Sequence, residues 1–521
     1  MVEYVLPCSR DDGARTRDFG PKDNGMETRT TAAPQPVVLP RVLGPLAALS
    51  VVVGSVIGSG IFLVPARVAH ELPFLAGILS IWVVAGVFTT AGALTLAELG
   101  AMMPQAGGPY VYLREAYGKL PAFLFGWSEL TVSRAGSMAT LAAAFSRYFA
   151  QIFPHPEAVS NAAWQGMAAV AAIAIVTIIN VLGTRGGGGL QVIGTALKVG
   201  GVLPLIALPF ATGGGSLENL SPWTPAPDQG DLFSGIMIAM VGVLWAYDGW
   251  MNVTPLAEEI RDPGKNIPRA LILGMSCLVS VYLAMTLAYH YVLPMPAVAA
   301  AHDAGGIENA VAAVYCKSLL GLKGVLAISA LVMCSTFISL NGNALTGPRS
   351  YFAMARDGLL PAWFDRVHPR FQTPANAIVS QAVWAIALTV LGTILILVPP
   401  PTSQTWLPDF VTSAWTTLNR KHLYDILLDY VMFGATVFYM LAITSVFVLR
   451  RTRPDLERPY RTWGYPVTPL IFVAASLLLL GSMLSHEETR MQALGGGVLI
   501  LLGVPAYYLL RRKPAPAESA F

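Results

Sequence analysis

Gly58-Ser59-Gly60 stands in the middle of the apolar run 53–62, and Asp248-Gly249 stands in a second apolar run, 243–250. A membrane helix bonded along its whole length has no use for either insertion, because unwound backbone is tolerated in lipid only where it faces protein or a polar cavity. Loss of regular helix after Val56 and Ile57, across Gly58, Ser59 and Gly60, frees backbone amides that begin a second half-helix at about Ile61. Such an N-terminus carries partial positive charge and N–H donors that suit a carboxylate. The break over Trp245, Ala246, Tyr247, Asp248 and Gly249 ends another half-helix, whose carbonyls suit an ammonium group or a cation. A small molecule with both charges on one carbon fits between the two. Close helix packing is the competing explanation of Gly58 and Gly60 taken alone. A second break at the corresponding place of a second repeat favours the substrate site of a transporter.

Lys198 is a lone cation in the apolar run 190–211, where charge is costly and usually functional. It is expected either to cycle between charged and neutral forms, as a coupling group, or to snorkel toward the interface near Arg185. Four other charges lie within apolar runs: Glu98, Glu129, Arg134 and Asp248. Glu129 and Arg134, five residues apart, do not share a face of a regular α-helix, so each is expected to pair with a different segment. Glu98 is placed to brace the loop that follows it. Asp248 is read evenly as a specificity or coupling carboxylate or as a local cap of the turn. Trp82, in an uncharged run, is expected to face lipid.

The elements that must position these groups are legible from composition. Of 521 residues, 54% are hydrophobic and only 12% charged, against about 25% charged in soluble domains. Runs long enough to cross a hydrocarbon core recur twelve times, at 43–66, 74–97, 120–149, 162–184, 190–211, 233–256, 271–293, 324–348, 374–398, 430–449, 462–485 and 491–510. None alternates like a barrel strand. With the first residue inside, eighteen Lys and Arg fall on one side and seven on the other, which places both termini in the cytoplasm. The expected organisation is a disordered tail (1–42), a first five-helix repeat (43–215), a second (230–450), two further helices (460–513) and a short tail (514–521). Residues 1–42 lack the apolar segment of a secretory signal, and Met26 is an alternative start. The 399–429 connection, with Trp406, Trp415 and Tyr424, is expected to carry an interfacial helix.

Four cysteines and seven histidines show no metal, redox or nucleotide-loop spacing, so no enzyme, cofactor, metal site or nucleic-acid partner is indicated. The partners implied are the lipid bilayer and a small polar solute.

Several motifs extend this reading: 57–62 (IGSGIF), 104–118 (PQAGGPYVYLREAYG), 246–250 (AYDGW), 258–269 (EEIRDPGKNIPR), 349–361 (RSYFAMARDGLLP) and 453–460 (RPDLERPY). In this order, across most of residues 43–510, they resemble the amino acid–polyamine–organocation superfamily, and its L-amino acid transporter branch above all. The resemblance implies an all-α polytopic membrane protein of twelve helices, a LeuT-type 5+5 inverted repeat with helices 1 and 6 broken, and exchange or symport of amino acids. It implies a substrate carboxylate on the amides of Ser59, Gly60 and Ile61, an ammonium on the carbonyls of Val56, Trp245 and Asp248, and closure by Trp245. It also implies that Lys198 stands near the place where sodium binds in sodium-coupled relatives. The chain departs from the branch at Met251, where asparagine often stands, with Asn252 following. Residues 151–161 hold no cysteine for a disulfide-linked heavy-chain partner. The alternatives are a nontransporting sensor on the same scaffold, a polyamine or organic-cation transporter, and a channel.

Overall fold

The computed structural model describes residues 39–226, 231–303, 310–398, 423–485 and 487–511. Expectations for residues 1–38 and 512–521, and for most of the 399–429 connection, lie outside the described residues.

The first apolar run folds as two helices, α1 (Pro45–Val56) and α2 (Gly60–Glu71). Ile57 leaves helical geometry at φ −70°, ψ 83°, and the Gly58 amide donates back to Val56 O at 2.7 Å. Next come α3 (Leu75–Met102) and the short α4 (Pro109–Tyr117), which starts beyond Gly107 and Gly108, both at positive φ. That turn is the one the Pro104–Pro109 sequence calls for, since glycine alone takes such angles cheaply. Helices α5 (Lys119–Ser128) and α6 (Arg134–Ile152) run on as one rod through a π-helical turn, Glu129–Ser133.

Then follow α7 (Asn161–Val181), α8 (Thr184–Thr212) and α9 (Leu232–Tyr247). The sixth run breaks at Asp248, extended at ψ 150°, and Gly249, at φ +108°, and continues as 3-10 turns, Trp250–Glu259. The rest is α10 (Pro263–Val292), α11 (Met295–Asp303), α12 (Val311–Thr346), α13 (Pro348–Arg356), α14 (Ala375–Leu397), α15 (Leu423–Thr452), α16 (Val467–Ser485), α17 (Glu487–Leu501) and α18 (Gly503–Leu510). Among the described residues no β-strand occurs, and an isolated bridge joins Leu43 to Ile260.

Eleven segments among the described residues are long and apolar enough to cross a membrane. The α5–α6 rod, read from sequence as the third crossing, is not one of them, because Lys119, Glu129, Arg134 and Arg147 interrupt its apolar character. The broken helices sit centrally: α1 packs on α8, α10 and α12, and α2 on α9 and α11. Around them α3 lies along α10, and α6 along α12.

Two sequence expectations fail here for identifiable reasons. Trp82 does not face lipid. It is fully buried, edge-on to Tyr247 and Tyr282, because α3 presents Val83, Val84 and Val87 outward instead. Glu129 and Arg134 do share a face: the Arg134 Nε donates to Glu129 Oε2. The π-turn carries one extra residue, which brings i and i+5 into register. Both side chains are buried. Glu129→Ala should therefore cost roughly 3–5 kcal/mol, the penalty for leaving one buried charge uncompensated. Glu129→Ala combined with Arg134→Met should cost clearly less. Unfolding in denaturing detergent measures both, and equal losses would show that the pair is not coupled.

Candidate functional site

The two breaks touch each other at two glycines. A Cβ on Gly60 would lie 2.6 Å from Ala246 Cα and 2.8 Å from Ala246 Cβ, and one on Gly249 would lie 3.1 Å from the backbone carbonyl carbon of Ser55. Tyr282 of α10 bridges them, with its hydroxyl 3.0 Å from Val56 O and 2.9 Å from Ala246 O. A hydroxyl has one proton, so it serves one carbonyl at a time and leaves the other with acceptor capacity.

Between the breaks lies a small cavity. Ser55, Val56, Gly58, Ser59 and Gly60 form one wall, Trp245, Asp248, Gly249 and Asn252 a second, and Ser137, Leu141 and Asn343 a third. Seven of the residues singled out in the sequence thus converge: Val56, Gly58, Ser59, Gly60, Trp245, Asp248 and Gly249. The other four, Ile57, Ile61, Ala246 and Tyr247, are buried beside the cavity without lining it. Ile61 is the second residue of α2, so its amide precedes the first intrahelical hydrogen bond. Tyr247 points away, its hydroxyl 3.3 Å from Trp82 O. Ser55 went unnoticed in the sequence, yet its Oγ is buried with no hydrogen-bond partner among the described residues. Unsatisfied polar atoms are rare in protein interiors, and this one lies against Gly342 of α12.

Lys198 does not snorkel. It is fully buried, and its Nζ donates to Gly54 O at 2.6 Å, Ile57 O at 2.7 Å and Ser339 Oγ at 2.8 Å. Two of those three acceptors are carbonyls of the broken helix, Gly54 in α1 and Ile57 at the break. Ser335, one turn from Ser339 on α12, donates to Ile57 O at 2.9 Å or Gly58 O at 3.1 Å. The released carbonyls are thus collected by α8 and α12.

Asp248 is one of the residues lining the cavity, and its carboxylate accepts from the Tyr439 hydroxyl at 2.9 Å. Arg134, one turn before Ser137 on α6, reaches two of the lining residues, Asn252 Oδ1 at 2.5 Å and Asn343 Oδ1 at 3.0 Å. Asn343 is fixed further through its carbonyl, which accepts from Gln381 Nε2 at 3.0 Å. The cavity floor is therefore a polar network drawn from α6, the 3-10 turns, α12 and α14.

Beyond this floor, the face that carries Leu39 is closed by ion pairs. Glu258 accepts from Arg356 at 2.9 Å and from the amides of Leu39 and Ala106, which join three chain segments. Glu259 accepts from Arg349 at 2.8 Å and Thr184 at 2.6 Å. Asp357 accepts from Arg114 at 2.7 Å and from Tyr110. Burial and that carboxylate push the Tyr110 hydroxyl well above its ordinary range, so it stays a donor. Glu98 reaches further than its own loop, pairing with Arg450 at 2.6 Å and accepting from the Thr462 amide at 2.7 Å. Among the described residues no three His, Cys, Asp or Glu side chains form a metal-ligand set.

Gly249→Ala tests the crossing. Positive φ and contact with Ser55 should together cost on the order of 1–3 kcal/mol, read as a lower midpoint in detergent unfolding. An unchanged midpoint would mean that the breaks do not press on each other.

The amino acid permease family model matches residues 43–494. The serine/threonine exchanger SteT of Bacillus subtilis is 29% identical over 481 residues, covering 92% of this chain and 98% of that one. The human b(0,+)-type amino acid transporter 1 is 30% identical over 508 residues, covering 96% and 93%. The mouse large neutral amino acids transporter small subunit 2 is 31% identical over 517 residues, covering 95% and 87%.

Proposed function

The chain belongs to the amino acid permease family, and from that premise we propose how its two broken helices hold an amino acid. The protein is a permease or exchanger of amino acids, a multi-pass membrane protein and not an enzyme. The substrate carboxylate meets the amides of Ser59, Gly60 and Ile61 at the start of α2, where the half-helix dipole favours negative charge. Its ammonium meets the carbonyls of Val56, Trp245 and Asp248, and Trp245 covers it. The observation that carries this is the convergence of both breaks on one cavity.

The finer architecture belongs to the same proposal. The α5–α6 rod is the twelfth crossing, with Arg134 turned inward onto Glu129, Asn252 and Asn343. The first five and second five crossings are LeuT-type inverted repeats, a reading supported by breaks in the first and sixth and by the pairings α3 with α10 and α6 with α12. The domain limits are those given from sequence. The ion-paired face, rich in arginine, is cytoplasmic, so both termini are cytoplasmic and the protein sits in the cell's inner membrane. No disulfide-linked heavy chain is required, because residues 151–161 lack a cysteine. Transport proceeds by alternating access, with Lys198 as the coupling group: a buried ammonium in the place of a cation holds the broken helix against α8 and α12.

Uptake by purified protein in liposomes tests the function. At least one amino acid of a radiolabelled panel should enter above the rate of empty liposomes, with or without internal amino acid, sodium or a pH gradient. No flux and no binding across the panel would overturn it. Lys198→Ala should slow flux about tenfold or more, the size of one lost charge-assisted hydrogen bond, roughly 1.5 kcal/mol. The ranking of amino acids should stay the same; a changed ranking at unchanged rate would make Lys198 a recognition group. Trp245→Ala should weaken binding at least as much, while the exposed Trp223→Ala leaves it unchanged, and equal small effects would assign Trp245 to packing.

A further inference from the structure

A second hollow lies away from the central cavity, between α6, α7 and α14. Its inner compartment, ≈ 360 Å³, is walled by Leu63 and Ala143, with Arg147, Asn161 and Gln165 at its polar side. The outer compartment, ≈ 420 Å³, is almost wholly apolar, lined by residues such as Ala163, Met167, Val390, Ile394 and Leu397. Gly166 and Thr393 belong to both. A Cβ on Gly166 would come within 2.8 Å of the Thr393 side chain, so glycine is what lets α7 approach α14 there. Met167, Val390, Ile394 and Leu397 are each 42–51% exposed, on helices apolar enough to cross a membrane.

Arg147 is the anomaly. It is half-buried at the edge of an otherwise apolar bundle and makes no hydrogen bond or ion pair among the described residues. The residues lining the two compartments include no aspartate or glutamate. A guanidinium left unpaired beside apolar walls is costly, and its planar fork is shaped for phosphate or carboxylate.

We propose that this hollow is a binding site for an anionic phospholipid, with the phosphate on Arg147 and one acyl chain along the apolar compartment. Headgroup hydroxyls fall to the Asn161 and Gln165 amides, which already bond each other at 3.2 Å. A zwitterionic headgroup fits less well, because its ammonium finds no carboxylate on the walls. The site rests on the membrane-spanning reading of the chain and not on the substrate. It has a route to transport nonetheless. The same α6 carries Ser137 and Leu141 to the central cavity and Ala143 and Arg147 to this hollow, and Leu63 lies one turn beyond Gly60.

Native mass spectrometry of the purified protein, loaded with equal amounts of phosphatidylglycerol and phosphatidylcholine, tests the assignment. One phosphatidylglycerol should survive at energies that strip other lipid. Arg147→Gln should reduce its retention about tenfold, the loss of one charge-assisted contact, and Arg147→Lys should restore part of it. Ala163→Trp, which fills the groove from its lipid-facing wall, should also expel it and leaves a second variant should Arg147→Gln not fold, elution position deciding. Glycerol 3-phosphate should not compete. Equal retention in the parent and Arg147→Gln, equal retention of the two lipids, or displacement by glycerol 3-phosphate would each overturn the proposal. These masses are read whether or not any amino acid is transported.

Discussion

Hydrocarbon offers no water to a backbone group released from its helix, and the break between α1 and α2 releases several at once. A buried polar group left without a partner costs on the order of 1–3 kcal/mol. The Lys198 ammonium takes the carbonyls of Gly54 and Ile57, Ser335 serves Ile57 or Gly58, and Tyr282 serves Val56 or Ala246. These partners come from α8, α12 and α10, so satisfying one interrupted helix fixes which three helices surround it. The break could not persist without them, and they would have no reason to be polar without it.

The second break is organised differently. It presses on the first through Gly249 against Ser55 and Gly60 against Ala246, and its carboxylate is held from α15 by Tyr439. Two of the charges that make the α5–α6 rod poor as a lipid-facing helix build the cavity floor, since Arg134 spans Glu129, Asn252 and Asn343. Beneath that floor Glu258 gathers Arg356, Leu39 and Ala106 into one cluster. A passage from the cavity to this face has to part groups from four chain segments, which makes the cluster a discrete closed arrangement and not a softly deformable one.

The breaks were legible in the sequence because glycine and aspartate stand out against apolar runs, and Lys198 was legible as an isolated charge. Its partners were not, since carbonyls carry no signature and Ser335 and Ser339 are ordinary small residues of a membrane helix. The same holds for Ser55, Ser137, Leu141 and Asn343, which become cavity walls only through packing. Glu129 and Arg134 misled because α-helical spacing was assumed, and a π-turn leaves no mark in composition. Trp82 misled because an uncharged run does not say which of its faces meets lipid. The eleven apolar segments followed from length and hydropathy alone, while the α5–α6 rod was diluted by Lys119, Glu129, Arg134 and Arg147.

The central claim is that one cavity reads both ends of a free amino acid, with half-helix amides on the carboxylate and half-helix carbonyls on the ammonium. Competition binding measures this most directly: an amino acid that binds the purified protein is challenged with its methyl ester, which lacks the carboxylate, and with its N-acetyl form, which lacks the ammonium. The account predicts that neither competes within about a hundredfold of the parent compound, since each loses a charge-assisted set of hydrogen bonds worth roughly 3 kcal/mol. Competition by either derivative as strong as that of the free amino acid would contradict it.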